Sequence, residues 1–136
     1  MHHNHFVKNM KKENKELLQK IKSKNYKIGT DCSGIEAPIT ALQLLQINYS
    51  HIFSCDNDKH IKETIMQTYK PNTYYDNILN RNNEKLQNID IYVCGFPCQS
   101  FSTEGKREGF RSKNKEGTIF FKCYDVIKKK SQNSLY

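Results

Sequence analysis

The sequence predicts an α/β domain built on an open, doubly wound parallel sheet. Three observations carry this. Short apolar runs of strand length alternate along the chain with segments of helical period, the order of repeated βαβ units. The polar and glycine-bearing motifs fall at the ends of the predicted strands, where open α/β sheets place their chemistry. No run of roughly 18 apolar residues occurs, so the apolar segments are expected in a folded core and not in a membrane span.

Residues 1–25 are lysine-rich and polar, with a weak helical pattern around Leu17, Leu18 and Ile21, and are read as a basic polar tail or a frayed helix. The texture changes at Tyr26. "YKIGTDCSG" reads as a strand running into a glycine-bearing turn. "IEAPITALQLLQI" has helical spacing, with Pro38 suited to its first turn. "YSHIFSCD" is a second strand ending in an acid. "DKHIKETIMQTYK" is a second helix with Ile61, Ile65, Met66 and Tyr69 on one face, stopped by Pro71. "TYYDNI" is a short third strand with its loop, and "DIYVCGF" a fourth strand. "KEGTIFFKCYDVIKKK" is a third helix starting near Gly117.

The length of 136 residues suits one domain and is short for a complete enzyme of the doubly wound class. The net charge of +8 is compatible with polyanion partners. Lysine outnumbers arginine 19 to 3, however, which an A/T-rich coding sequence would also produce, and the two readings stay open. The N-terminus has no apolar core of a secretory signal, so an intracellular, reducing compartment is expected, cytoplasm or nucleus/nucleoid. The five cysteines are odd in number and form no CxxC pair, which argues against a zinc knuckle and against a disulfide framework. His2, His3 and His5 form only a terminal cluster, and no metal is expected. Cys32, Cys55, Cys94 and Cys123 are read as small buried hydrophobes.

Cys98 is the exception. Pro97 fixes its own φ and steers Phe96 away from helix, so Cys98 is presented on a rigid turn at a strand end. A thiolate is a strong neutral-pH nucleophile. The run after it is small and polar (Ser100, Ser102, Thr103, Gly105), with Lys106, Arg107 and Arg111 adding positive charge that could lower a thiol pKa or meet phosphates. No histidine is near in sequence, and Phe101 stands where a zinc deaminase would need its second cysteine. The first turn, "DCSGIEA", offers one glycine, Gly34, and no full phosphate-binding fingerprint. Asp56 lies about 20 residues on, where an acid can hold a ribose. As a residue preceding a helix, alongside Asp58, it could equally be a plain N-cap.

The motifs taken together resemble the DNA cytosine-5 methyltransferases over about residues 26 to 130. "GFPCQSFS" resembles the family's Pro-Cys motif, "GTDCSGIEAP" its first S-adenosylmethionine motif, and "SCDNDKHIKETI" its second. "YYDNI" stands at the adenine-side loop, and "GKREGF" and "EGTIFF" resemble the segment after the nucleophile. The resemblance implies a partial Rossmann-like S-adenosylmethionine-dependent methyltransferase fold. Cys98 would be the nucleophile, forming a covalent adduct on cytosine of bound DNA. Asp31, Cys32, Ser33, Gly34, Ile35, Asp56, Asn57, Asp76, Asn77, Ile78, Gly95, Pro97 and Thr118 would contact the cofactor. Gln99, Ser100, Ser102, Lys106, Arg107 and Arg111 would contact DNA.

The sequence departs from the pattern in places. Thr30 takes the place of the first motif's Asp, Cys32 that of its Phe, and Glu36 that of its second Gly. Glu116 precedes Gly117 where arginine is frequent. The chain does not contain the family's Glu-Asn-Val motif, its later Arg-bearing motif, its target-recognition region or its closing cofactor motif. Residues 26–136 are therefore expected to be the N-terminal part of the catalytic domain, its fold truncated on the C-terminal side. Such a chain alone is expected not to turn over, unless a second polypeptide completes it. The competing classes are a non-catalytic remnant or partner-binding subunit, and a different cysteine-nucleophile enzyme acting on pyrimidines.

Overall fold

A computed structural model describes residues 14–98 and 116–133, with side chains of the last helix from 118 to 129. A first helix, α1, covers residues 14–23. It is followed by β1 (Tyr26–Asp31), α2 (Ala37–Leu44), β2 (Tyr49–Cys55), α3 (Lys59–Thr68), β3 (Thr73–Tyr75), a 3₁₀ turn at Asn83–Lys85, β4 (Ile91–Cys94) and α4 (Glu116–Asn133). The four strands form one all-parallel sheet in the order β3-β2-β1-β4. The chain steps outward from β1 to β3, then returns to lay β4 against the other side of β1. The strand order thus reverses between β1 and β4, and the crevice at the carboxyl ends of these two strands is the topological switch point. This is the doubly wound arrangement that the alternation of elements predicts.

The inner strands are the most buried. His51 through Cys55 of β2 and Ile28 through Asp31 of β1 are all shielded from solvent. α4 lies across the sheet, placing Val126 with Ile52, Phe53 and Leu86, and Cys123 with Cys55 and Ile78. The β1–β2 register slips between Ile28 and Gly29. Gly29 has a steric role there: a Cβ on it would stand 2.3 Å from Cε1 of the buried Phe53 ring.

Helix boundaries follow local chemistry. α2 ends at Leu44, three residues before the predicted limit. Gln46 adopts φ 56°, and Ile47 and Gln46 donate back to the carbonyls of Leu42 and Gln43, which closes the helix with a Schellman pair. α3 starts on Asp58, whose carboxylate accepts from His60 N and Ile61 N at 2.8 and 3.0 Å. These bonds hold the Asp58 carboxyl below its ordinary pKa. The predicted apolar face of α3 needs one correction. Ile65 is buried and Ile61 and Tyr69 half-buried, but Met66 is exposed, on the rim of a surface cavity with Lys59, Lys62 and Glu63. α4 runs to Asn133, three residues beyond its predicted end.

The Gly29 contact gives a stability prediction. Gly29→Ala should force the Phe53 ring off its position and destabilise the domain by about 1–3 kcal/mol, the range of overpacked cores. Urea denaturation checks this; an unchanged midpoint would show that the ring is free to move.

Candidate active site

At the carboxyl edge of the sheet the strand ends enclose a cavity of about 470 Å³. It is lined by Cys32 and Gly34 from the first turn, Cys55, Asp56 and Asn57 after β2, Asn77, Ile78 and Leu79 after β3, Gly95 and Pro97 after β4, and Ile119 of α4. Two backbone hydrogen bonds continue the ladder past the strand ends: Cys32 N to Cys55 O at 2.7 Å and Gly95 N to Asp31 O at 3.0 Å. Gly95 must be small, since a Cβ there would lie 2.8 Å from the Cys32 carbonyl oxygen. Gly34 is required for another reason. It sits at φ 54° with open space where a Cβ would be, so its backbone faces the cavity bare.

Asp56 bridges two turns. One carboxylate oxygen accepts from Gly34 N at 3.2 Å, the other from Asp58 N at 3.1 Å, and Tyr74 donates to its carbonyl at 2.9 Å. The cap of α3 is Asp58, so the helix-cap alternative for Asp56 is not the arrangement found. Asp56 and Asn57 also line a second, adjoining cavity of about 380 Å³, together with Lys62 and Asp76. Asp76 faces that side and pairs with Lys62 at 2.6 Å, away from Asn77 and Ile78 on the main cavity wall.

Other residues singled out by sequence are placed elsewhere. Asp31 is fully buried and points away from the cavity into a bidentate pair with Arg81, whose Nη2 is 2.7 Å from Oδ2. Tyr92 donates its hydroxyl to the same carboxylate. Burial pushes the Asp31 carboxyl above its ordinary pKa, against the hydrogen bonds and charge of Arg81 and the bond from Tyr92. Ser33 donates to Glu36 at 2.8 Å. Ile35 is 68% exposed and lies in a separate shallow groove with Ala37, Thr40 and Leu44. Thr118 is exposed, and the next residue, Ile119, meets the cavity instead.

Sequence reasoning missed Arg81 as a site residue and treated Glu36 only as a departure from the motif. Glu36 takes a left-handed backbone, φ 57°, as the motif's glycine could, and turns its carboxylate inward. One oxygen accepts from Thr30, Ser33 and Ser54 at 2.7, 2.8 and 2.6 Å. His51 Nε2 lies 2.9 Å from the Ser54 hydroxyl, and burial pushes the His51 pKa down. The acid that the motif carries on the strand, at the place of Thr30, has moved to the turn and reaches back to that same position. The clue was visible in sequence as a paired exchange, Thr for Asp and Glu for Gly.

Cys98 is exposed and follows the cavity-lining Pro97. The turn carrying them is fastened to α4 by an edge contact of Phe96 with Phe120, ring centres 5.4 Å apart. Gln99, Ser100, Ser102, Lys106, Arg107 and Arg111 lie outside the described residues. Among the described residues no group of three or more His, Cys, Asp or Glu side chains is arranged to hold a metal ion. No helix among them is long and apolar enough to cross a membrane.

The family model for the C-5 cytosine-specific DNA methylases matches residues 27–135, which includes every lining residue of the main cavity and Cys98. The chain belongs to that family. It is 31% identical over 100 residues to the orphan methyltransferase M.Rho11sI of Bacillus phage rho11s, covering 72% of this chain and 20% of the relative. It is 35% identical over 79 residues to the type II methyltransferase M.BsuFI of Bacillus subtilis, covering 58% and 19%. Against M.HpaII of Haemophilus parainfluenzae the identity is 31% over 86 residues, covering 62% and 24%. The chain thus spans about a fifth to a quarter of the length of these relatives.

The ion pair is testable. Arg81→Leu should cost about 3–5 kcal/mol, because it leaves the Asp31 carboxylate buried without its partner. The double change Asp31→Leu with Arg81→Leu should recover most of that loss. Denaturant titration of the three proteins checks it; a double variant as unstable as Arg81→Leu alone would contradict the account.

Proposed function

We propose that this chain forms the cofactor-binding and nucleophile-bearing part of a DNA (cytosine-5)-methyltransferase that uses S-adenosylmethionine. The observation that carries this reading is the convergence, at the switch-point cavity, of an exposed-backbone glycine turn, an acid at the end of β2 and a Pro-Cys turn at the end of β4. The donor set fits a nucleoside cofactor without a pyrophosphate. Asp56 offers a carboxylate to ribose hydroxyls, and Asn77, Ile78 and Leu79 offer a mixed polar and apolar wall to a base. The first turn has one glycine and no phosphate cradle. When bound, the cofactor supplies an electrophilic methyl group.

The chain's own chemistry centres on Cys98. Its thiolate adds to C6 of a cytosine flipped from the duplex, and the electron pair released into the ring makes C5 nucleophilic. Loss of the C5 proton and expulsion of Cys98 restore the aromatic base after transfer. Pro97, which lines the cavity, stiffens the turn that carries the thiol, since its ring removes one backbone freedom. The basic residues Lys106, Arg107 and Arg111, with Gln99, Ser100 and Ser102, are assigned to DNA contacts. The five free cysteines suit a reducing intracellular compartment.

Two measurements test the reading, on this chain joined to the segments that its relatives carry beyond the matched region. Cys98→Ser should abolish covalent trapping on DNA carrying 5-fluorocytosine, while Cys32→Ser and Cys123→Ser should leave trapping intact; an adduct that survives the Cys98 change would rule out the mechanism. Asp56→Ala should weaken binding of S-adenosylhomocysteine by about 1.5–3 kcal/mol, the worth of hydrogen bonds to a charged group. Calorimetry showing equal affinity would remove Asp56 from the ribose site.

A further inference from the structure

Three thiols that the proposed reaction does not use meet beneath the cavity. Cys94 ends β4 and is the register partner of Asp31 on β1. Cys32 follows Asp31 at the end of the strand, with a left-handed φ of 50°, and so lies one step past the register partner of Cys94. Cys123 of α4 belongs to the buried cluster against which Cys94 packs. Hydrogen bonds from Cys123 and Cys32 favour the thiolate of Cys94 and pull its pKa well down, while the same contacts hold the other two thiols protonated.

We propose that Cys32 and Cys94 form a reversible, peroxide-oxidised disulfide that ties the first turn to the base of the Pro-Cys turn. Adjacent strands lie about 4.8 Å apart, and a disulfide spans Cα separations of about 4.4–6.8 Å, so a residue one step past the register partner is within range. Access favours Cys32 over Cys123 as the second partner, since Cys32 lines the cavity whereas Cys123 is 3% exposed. The Cys94 thiolate attacks one oxygen of hydrogen peroxide, the O–O bond breaks, and hydroxide leaves with a sulfenic acid on Cys94. The Cys32 sulfur then attacks the Cys94 sulfur, the S–O bond breaks, and the departing hydroxide takes the Cys32 proton as water. Two thiols are oxidised and one peroxide is reduced to two waters.

The test uses the purified 136-residue chain, reduced, then treated with hydrogen peroxide, alkylated and peptide-mapped by mass spectrometry. The expected result is a linked pair of peptides carrying Cys32 and Cys94, released by dithiothreitol. Cys123→Ser should keep that link. Cys32→Ser should lose it and leave a Cys94 sulfenic acid that dimedone captures. A link that is mainly Cys94–Cys123, or oxidation confined to Cys98 with Cys94 untouched, would overturn the proposal. Because the map needs no cofactor and no DNA, its result stands apart from the outcome of the methyltransferase assays.

Discussion

The buried Arg81 guanidinium is the interaction around which the site is organised. It grips Asp31 at the end of β1, shares that carboxylate with Tyr92 of β4, and lies 5.0 and 5.3 Å from the ring centres of Phe53 and Tyr75 on β2 and β3. Its Nε donates to Asn83, which in turn donates to the Lys122 carbonyl and the Asp125 carboxylate of α4. One side chain therefore touches residues of three strands directly, and reaches β4 through the shared Asp31 carboxylate and the covering helix through Asn83. A buried ion pair contributes little net stability once desolvation is counted. What it does here is fix relative position. Cys32 follows Asp31 directly, and Gly95 lies three residues after Tyr92, so two walls of the cavity hang from the same pair.

The second organising feature is the displaced acid. A carboxylate below the first turn can be held from the strand or from the turn, provided something at the other position donates to it. Here Glu36 accepts and Thr30 donates, with Ser33 and Ser54 completing the set. The cost is a left-handed glutamate backbone, which is strained for a residue with a Cβ. The backbone at Gly34 stays exposed beside it.

The strand and helix order was legible because each element carries its own period and its own end signal. Examples are Pro71 after α3, the Asp58 cap and the β-branched and aromatic run in β2. The cavity was legible in outline, since strand-end motifs must meet at one edge of a parallel sheet. What was not legible depends on pairing across distance. Nothing local links Asp31 to Arg81, 50 residues away, so Asp31 was assigned to the cofactor by motif position while its carboxylate is engaged elsewhere. Asp76 and Asn77 are neighbours in sequence but face different cavities, in the turn that follows β3, where Asn77 accepts from Leu79 N at 2.8 Å. The thiol cluster was hidden for a similar reason: Cys32, Cys94 and Cys123 are far apart in sequence, and only the β1–β4 pairing and the packing of α4 bring them near one another.

The central claim is that the switch-point cavity, and not the neighbouring grooves, receives the nucleoside cofactor. The most direct measurement is an amide chemical-shift map of the isotope-labelled chain titrated with S-adenosylhomocysteine. The account predicts saturable shifts concentrated at Cys32 to Gly34, Asp56 and Asn57, Asn77 to Leu79, and Gly95. Shifts centred instead on the groove of Ile35, Leu44 and Tyr69, or none at these strand ends at saturating ligand, would contradict it.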